Sequence, residues 1–212
     1  MKRIVLLLFV FACVSMQAQN LSIEEVAQKW KSSIIKVPGG GDKPDVVKLL
    51  HAFHKALPAY ATEAVVNLSK DPKFTYMKDE EFENEIIVDR KNGYVCDDAG
   101  GTDSSSMEAC VWRRTNGHRL FVIVLSQPVD PCIDVVCFYD YNPKTATMTP
   151  EDGPLKGFKL KAENYNRYYK LPRTGKDFIV GEYLDDGFVE HIFTWDGMNH
   201  HFSKTVSRKV EE

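Results

Sequence analysis

The chain of 212 residues is 43% hydrophobic and 27% charged, the composition of an ordinary globular protein, which excludes collagen-like, disordered and polytopic membrane classes. Its 27 Lys plus Arg against 30 Asp plus Glu give a formal charge of −3, and with no basic cluster it lacks the electrostatic footprint that nucleic-acid binding requires. Aromatic residues make up 11% of the chain, enough for a packed core that needs no cofactor to hold it.

Lys2 and Arg3 precede an apolar run from Ile4 to Val14, and Ser15-Met16-Gln17-Ala18 ends on a small residue. This is the layout of a secretory signal peptide cleaved after Ala18. The run is too short to span a bilayer. The expectation is therefore a signal peptide over 1–18 and a single α+β domain over 19–212, periplasmic or secreted, with no transmembrane segment. The Ala12-Cys13 step raises the alternative of a lipid anchor through Cys13, although Phe11 fits that pattern poorly. Cleavage leaves Cys96, Cys110, Cys132 and Cys137 in a compartment where disulfides form.

Leu21 to Ile35 reads as a helix. Ser22 followed by Glu25 is a capping box, and Ile23, Val26, Ala27, Trp30 and Ile34 recur at helical spacing. Pro38 and three glycines end it. A second helix starts near Pro44 and carries Val46, Leu49, Leu50, Phe53, Leu57, Tyr60 and Ala64 on one face, with Pro58 kinking or dividing it. The helical region thus covers 21–68.

From residue 74 to 206 the period changes to two. Segments Glu85 to Val95, Met107 to Arg114, Arg119 to Ser126, Ile133 to Tyr141, Phe178 to Leu184, Phe188 to Trp195 and His200 to Val206 are rich in β-branched and aromatic residues. Asn92-Gly93, Asn116-Gly117, Asn142-Pro143 and Asp185-Asp186-Gly187 join neighbours as hairpins. Arg119 to Ser126 is apolar on both parities and should be a central strand covered on both sides. Helices first and strands afterwards argue for α+β: two N-terminal helices packed on a large, mostly antiparallel meander. Thr149 to Lys176 lacks clean periodicity and reads as a long excursion.

Pairing Met107 to Arg114 with Arg119 to Ser126 about Asn116-Gly117 puts Cys110 opposite Ile123, and the next pairing puts Cys137 near Val122. Successive residues face opposite sides of a sheet, so these two thiols should not bond to each other. A cross-strand bridge between Cys96 and Cys110 is feasible.

No motif names a reaction. His51 and His54 lie three apart on a helix but fall outside its apolar stripe, so no histidine metal site is expected. The loop Asp97-Asp98-Ala99-Gly100-Gly101-Thr102-Asp103 has calcium-type ligands without the spacing of an EF-hand loop. No nucleophile motif is present. The remaining candidate surface is aromatic: Tyr139, Tyr141, Tyr165, Tyr168, Tyr169, Trp112 and Trp195 offer flat amphipathic area for a sugar ring or a protein partner, against a competing role in sheet packing.

Ala18-Gln19-Asn20, the segment Phe138-Tyr139-Asp140-Tyr141-Asn142-Pro143-Lys144-Thr145 followed by Met148-Thr149-Pro150, and Phe193-Thr194-Trp195-Asp196-Gly197 resemble features of small exported Bacteroidetes proteins of unknown function. The resemblance covers about a third of the chain and implies a periplasmic or outer-surface location, with no catalytic residues to carry over. The expected function is a non-catalytic exported domain that binds a glycan, a peptide or a protein. The alternative is an extracytoplasmic hydrolase of a polymer, using His191, His200 or His201 with Asp196.

Overall fold

The computed structural model describes residues 20–81, 84–99, 105–127, 133–162, 166–184 and 187–208. The expected signal peptide with Cys13, as well as Cys132 and Tyr165, lies outside the described residues. Among those described, no helix is long and apolar enough to cross a membrane.

Helix α1 (Ile23–Lys29) opens with the expected capping box: the Ser22 hydroxyl accepts from the Glu25 amide, and the Glu25 carboxylate accepts from the Ser22 amide. It stops far short of Ile35. After a 3-10 turn over Trp30–Ser32, the Ser32 and Ser33 hydroxyls both donate to the Lys29 carbonyl, competing for a helical acceptor. The chain then leaves as a two-residue strand, β1 (Ile35–Lys36). Helix α2 (Val46–Ala56) is capped by Asp45, whose carboxylate accepts from the Lys48 amide at 2.9 Å. It ends at Leu57 because Pro58 disfavours helical backbone in the residue before it. A 3-10 turn over Tyr60–Thr62 and helix α3 (Glu63–Leu68) follow. The expected pair of long helices is thus corrected to three short ones with 3-10 extensions.

The strands form two sheets, where one meander was expected. Strands β2 (Tyr76–Asp79), β3 (Asn84–Asp89), β4 (Tyr94–Ala99), β5 (Ser106–Arg113), β6 (Arg119–Gln127), β7 (Ile133–Asn142) and β8 (Thr147–Pro150) join β1 in an antiparallel sheet ordered β1-β8-β7-β6-β5-β4-β3-β2. Strands β9 (Arg167–Lys170), β10 (Phe178–Leu184), β11 (Gly187–Trp195) and β12 (His200–Arg208) form a second sheet ordered β12-β11-β10-β9. The stretch expected as one strand over Glu85 to Val95 is a hairpin that turns at Gly93, where φ is +69°.

Side-chain alternation places a core on each face of the larger sheet. Phe121, Ile123 and Leu125 of β6 point to the helices and meet Val26, Leu49, Leu50 and Phe53. Leu120, Val122 and Val124 point the other way, toward Phe178, Val180 and Phe193 of the second sheet. The larger sheet is therefore the middle of three layers, and β6 is its doubly covered strand, as its two apolar parities require.

The β5–β6 connection resets the register. Arg113 pairs with Arg119, leaving residues 114–118 as the loop, where the Asn-Gly signal had suggested a two-residue turn. Cys110 therefore faces Val122, and Cys137 faces Ile123. Both positions move by one, so the two thiols still lie on opposite faces, Cys137 under the helices and Cys110 between the sheets. The bridge expected between Cys96 and Cys110 is not formed, and both are buried free thiols. Cys96 pairs with Glu108 and Cys110 with Tyr94, so the thiols are diagonal neighbours, about 7–8 Å apart at the backbone and beyond disulfide reach.

Candidate functional site

The aromatic residues singled out in the sequence do not make one surface. Tyr139 and Tyr141 are fully buried beneath the helical layer. The Tyr139 hydroxyl donates to the Trp30 carbonyl at 3.2 Å, and the Tyr141 hydroxyl accepts from the Gly41 amide at 2.9 Å, so both anchor helix-side segments. Trp112 is buried between the sheets, stacked on Trp195 at 6.2 Å between ring centres. Tyr169 stacks on Phe178 in the same layer. Tyr168 lies on the outer face of the second sheet, over Gly181, where a Cβ would overlap its ring, and donates to Glu190 at 2.9 Å. Packing claims these rings.

Nor do the four residues of the hydrolase reading converge. His201 Nε2 and Asp196 Oδ2 form an exposed pair at 2.7 Å. The Asp196 carboxyl is held down to about 2, chiefly by the Asn199 and Met198 amides that donate to it. His200, only 4% exposed, is wedged edge-on against Trp112 at 4.8 Å and close to Trp195 at 5.0 Å. Its Nε2 donates to the Lys176 carbonyl at 2.7 Å, and burial lowers its pKa, keeping the ring neutral. His191 lies further along the second sheet with partners of its own, Glu182 and Thr205. His51 and His54, placed by the sequence outside the apolar stripe, are half-buried and bonded to Ser69 at 2.9 Å and Thr62 at 2.6 Å. Among the described residues no group of three or more His, Cys, Asp or Glu side chains is placed to hold a metal.

What the structure does assemble is a groove where the segment after β8 crosses the edge of the layers. One depression, of about 350 Å³, is lined by Leu120, Glu151, Pro154, Asn199, His200 and His201. A second, of about 270 Å³, is lined by Trp30, Lys31, Val136 and Leu155. They share Phe138, Asp152, Gly153 and Lys156. Gly153 is required there, because a Cβ would overlap the Phe138 ring. The groove is thus apolar at one end and polar at the other.

Arg114 holds its polar end. The guanidinium is buried, lying 2.5 Å from Asp140 and bonded through both terminal nitrogens to Glu151. Its Nε donates to the Met198 carbonyl at 2.8 Å and its Nη2 to Asn199 at 3.2 Å. Burial opposes the charge, yet Glu151 and Asp140 outweigh it and raise the pKa. The Thr115 amide donates to the Gly197 carbonyl at 2.9 Å, so the two sheets are pinned together beside the groove.

No protein-family model, curated protein or solved structure matches the chain. Its functional reading rests on this geometry.

Sequence reasoning passed over Arg114, Glu151 and the groove because they sit in turns and in the excursion, where periodicity carries no signal. One clue was present: Arg114, just past β5, shares its parity with the buried Cys110 and Trp112.

Proposed function

We propose that this is an exported domain that binds a peptide segment of a partner protein in the groove along residues 151–156. The observation that carries the reading is the pair of adjoining depressions of about 350 and 270 Å³ over Phe138 and Gly153. Lys31, Lys156, Asp152 and Glu151 around Leu155 and Val136 match the alternating charged and apolar side chains of an extended chain. A glycan is less well served, since sugar rings stack on open aromatic faces, and Trp30 and Phe138 are buried. The imidazoles at the polar end support binding over turnover: His200 is committed to Lys176 and His201 to Asp196. The signal-like N-terminus supports a location outside the cytosol.

The test is to pan the purified protein against a library of random peptides of about ten residues, then measure affinities by fluorescence anisotropy. Lys156→Glu and Leu155→Asp should each weaken the selected peptides by at least about tenfold with thermal stability retained. Peptides that bind the two variants as well as the parent, or ligands found only on a glycan array, would overturn the reading.

A further inference from the structure

The inner face of the second sheet carries a polar array that the groove does not use. Glu182, on β10, is 1% exposed. One of its oxygens lies 2.7 Å from His191 Nε2, on β11, and the other accepts from the Ala162 amide at 2.6 Å. His191 Nδ1 lies 2.9 Å from the Thr205 hydroxyl, on β12. Strand register makes this constellation: Glu182 pairs with Val189, two residues before His191 on the same face, and His191 pairs directly with Thr205. Burial alone would raise the Glu182 pKa, but hydrogen bonds from His191 and from the Ala162 and Lys161 amides lower it. The carboxylate accepts only, so Nε2 carries a ring proton, and in the neutral ring Nδ1 offers its lone pair to the threonine O–H.

We propose that Glu182, His191 and Thr205 form an acyl-transfer site that cleaves carboxylic esters with an apolar acyl group. A hydroxyl within hydrogen-bond reach of a base, with that base oriented by a buried third group, is the arrangement that activates a nucleophile. Thr205 is the exposed member. Among the described strands none pairs on the far side of β12, and the outward backbone N–H groups of this edge strand can serve a developing oxyanion. Phe158 and Phe202 flank His191 at 5.0 and 6.4 Å between ring centres and lie 5.1 Å from each other. Phe202 is 48% exposed, which leaves an apolar platform for the acyl chain. The site lies about 17 Å along β12 from His200 of the groove.

The step balances without a co-reactant other than water. Thr205 Oγ1 bonds to the acyl carbon as its proton passes to His191 Nδ1. The tetrahedral intermediate then expels the alcohol, which takes that proton. Water repeats the sequence on the acyl-threonine, releasing the acid and restoring the hydroxyl. Thr205 and His191 are the catalytic residues, and Glu182 is a positioning residue that acts through His191.

The experiment uses 4-nitrophenyl butyrate as substrate and a fluorophosphonate as covalent probe on the purified protein. Expected are turnover above buffer and a probe adduct mapped by mass spectrometry to Thr205. Thr205→Ala and His191→Ala should each lose about 100-fold in kcat, Thr205→Ser should retain activity, and Ser207→Ala on the same strand should match the parent. Glu182→Gln should lower kcat and leave KM unchanged, which a purely structural role would not do. Thr205 is on the surface, so its variants stay informative even if the buried positions fail to fold. Absence of turnover, an adduct on another residue, or full activity in Thr205→Ala would overturn the proposal.

Discussion

Asp97 gives the sharpest stability prediction. Its side chain is buried on the helix side of β4, with Asn84 beside it, and both Asp97 Oδ1 and Asn84 Oδ1 lack a donor. Burial is the main cause that pushes the Asp97 pKa up to about 6 from 3.8, with Asn84 pulling it down and Asp98 adding to the rise. At about 1.4 kcal/mol per unit, this corresponds to a cost on the order of 2–3 kcal/mol for burying the ionised form. The sign follows from linkage. The folded state binds the proton more tightly than the unfolded chain, so Asp97 imposes no penalty below about pH 4, and stability falls as pH rises from about 4 to 6. Asp97→Asn removes the charge and gives Asn84 Oδ1 a donor. The variant should exceed the parent by roughly 2 kcal/mol in guanidinium unfolding at about pH 7.5, and the gap should close toward pH 4. An Asp97→Asn protein no more stable than the parent at neutral pH, or a gap that ignores pH, would refute the reasoning.

Arg114→Met should cost about 2–4 kcal/mol in urea unfolding, since it strands Glu151 and leaves Asp140 with His118 as its partner, both carboxylates being partly open to water. Gly153→Ala should lower stability by about 1–3 kcal/mol through overlap with Phe138 and should abolish peptide capture, read by anisotropy. The thiols of Cys96, Cys110 and Cys137 are buried, and burial pushes the Cys96 pKa up to about 11. Differential alkylation with peptide mapping should therefore label these three only after denaturation and find no Cys96–Cys110 disulfide.

The layering was half legible. The two apolar parities of Arg119 to Ser126 announced a strand covered on both sides, and the Ser22-to-Glu25 box located a helix start, because each signal is local. The division into two sheets was hidden, since a hairpin reads the same whether its neighbours continue one sheet or begin another. Strands β1, β2, β8 and β9 were missed because two to four residues are too few to establish alternation. The aromatic set illustrates a different limit: periodicity assigns Tyr139 and Trp112 to faces, but what covers each face depends on segments far away in the chain. Glu182, His191 and Thr205 were separately visible, yet only the β10–β11–β12 register brings them together, and a turn longer by one residue would have sent one of them to the other side.

The guanidinium at Arg114 binds partners that arrive at different times. Asp140 and Glu151 follow it by 26 and 37 residues, whereas Met198 and Asn199 come 84 and 85 residues later. A nascent chain can therefore build the hairpin that bears Arg114 well before its coordination is complete. Only when the β11–β12 turn docks does the last pair of acceptors close around the cation. A copy truncated before residue 198 would therefore display an unfinished ionic socket beside the groove.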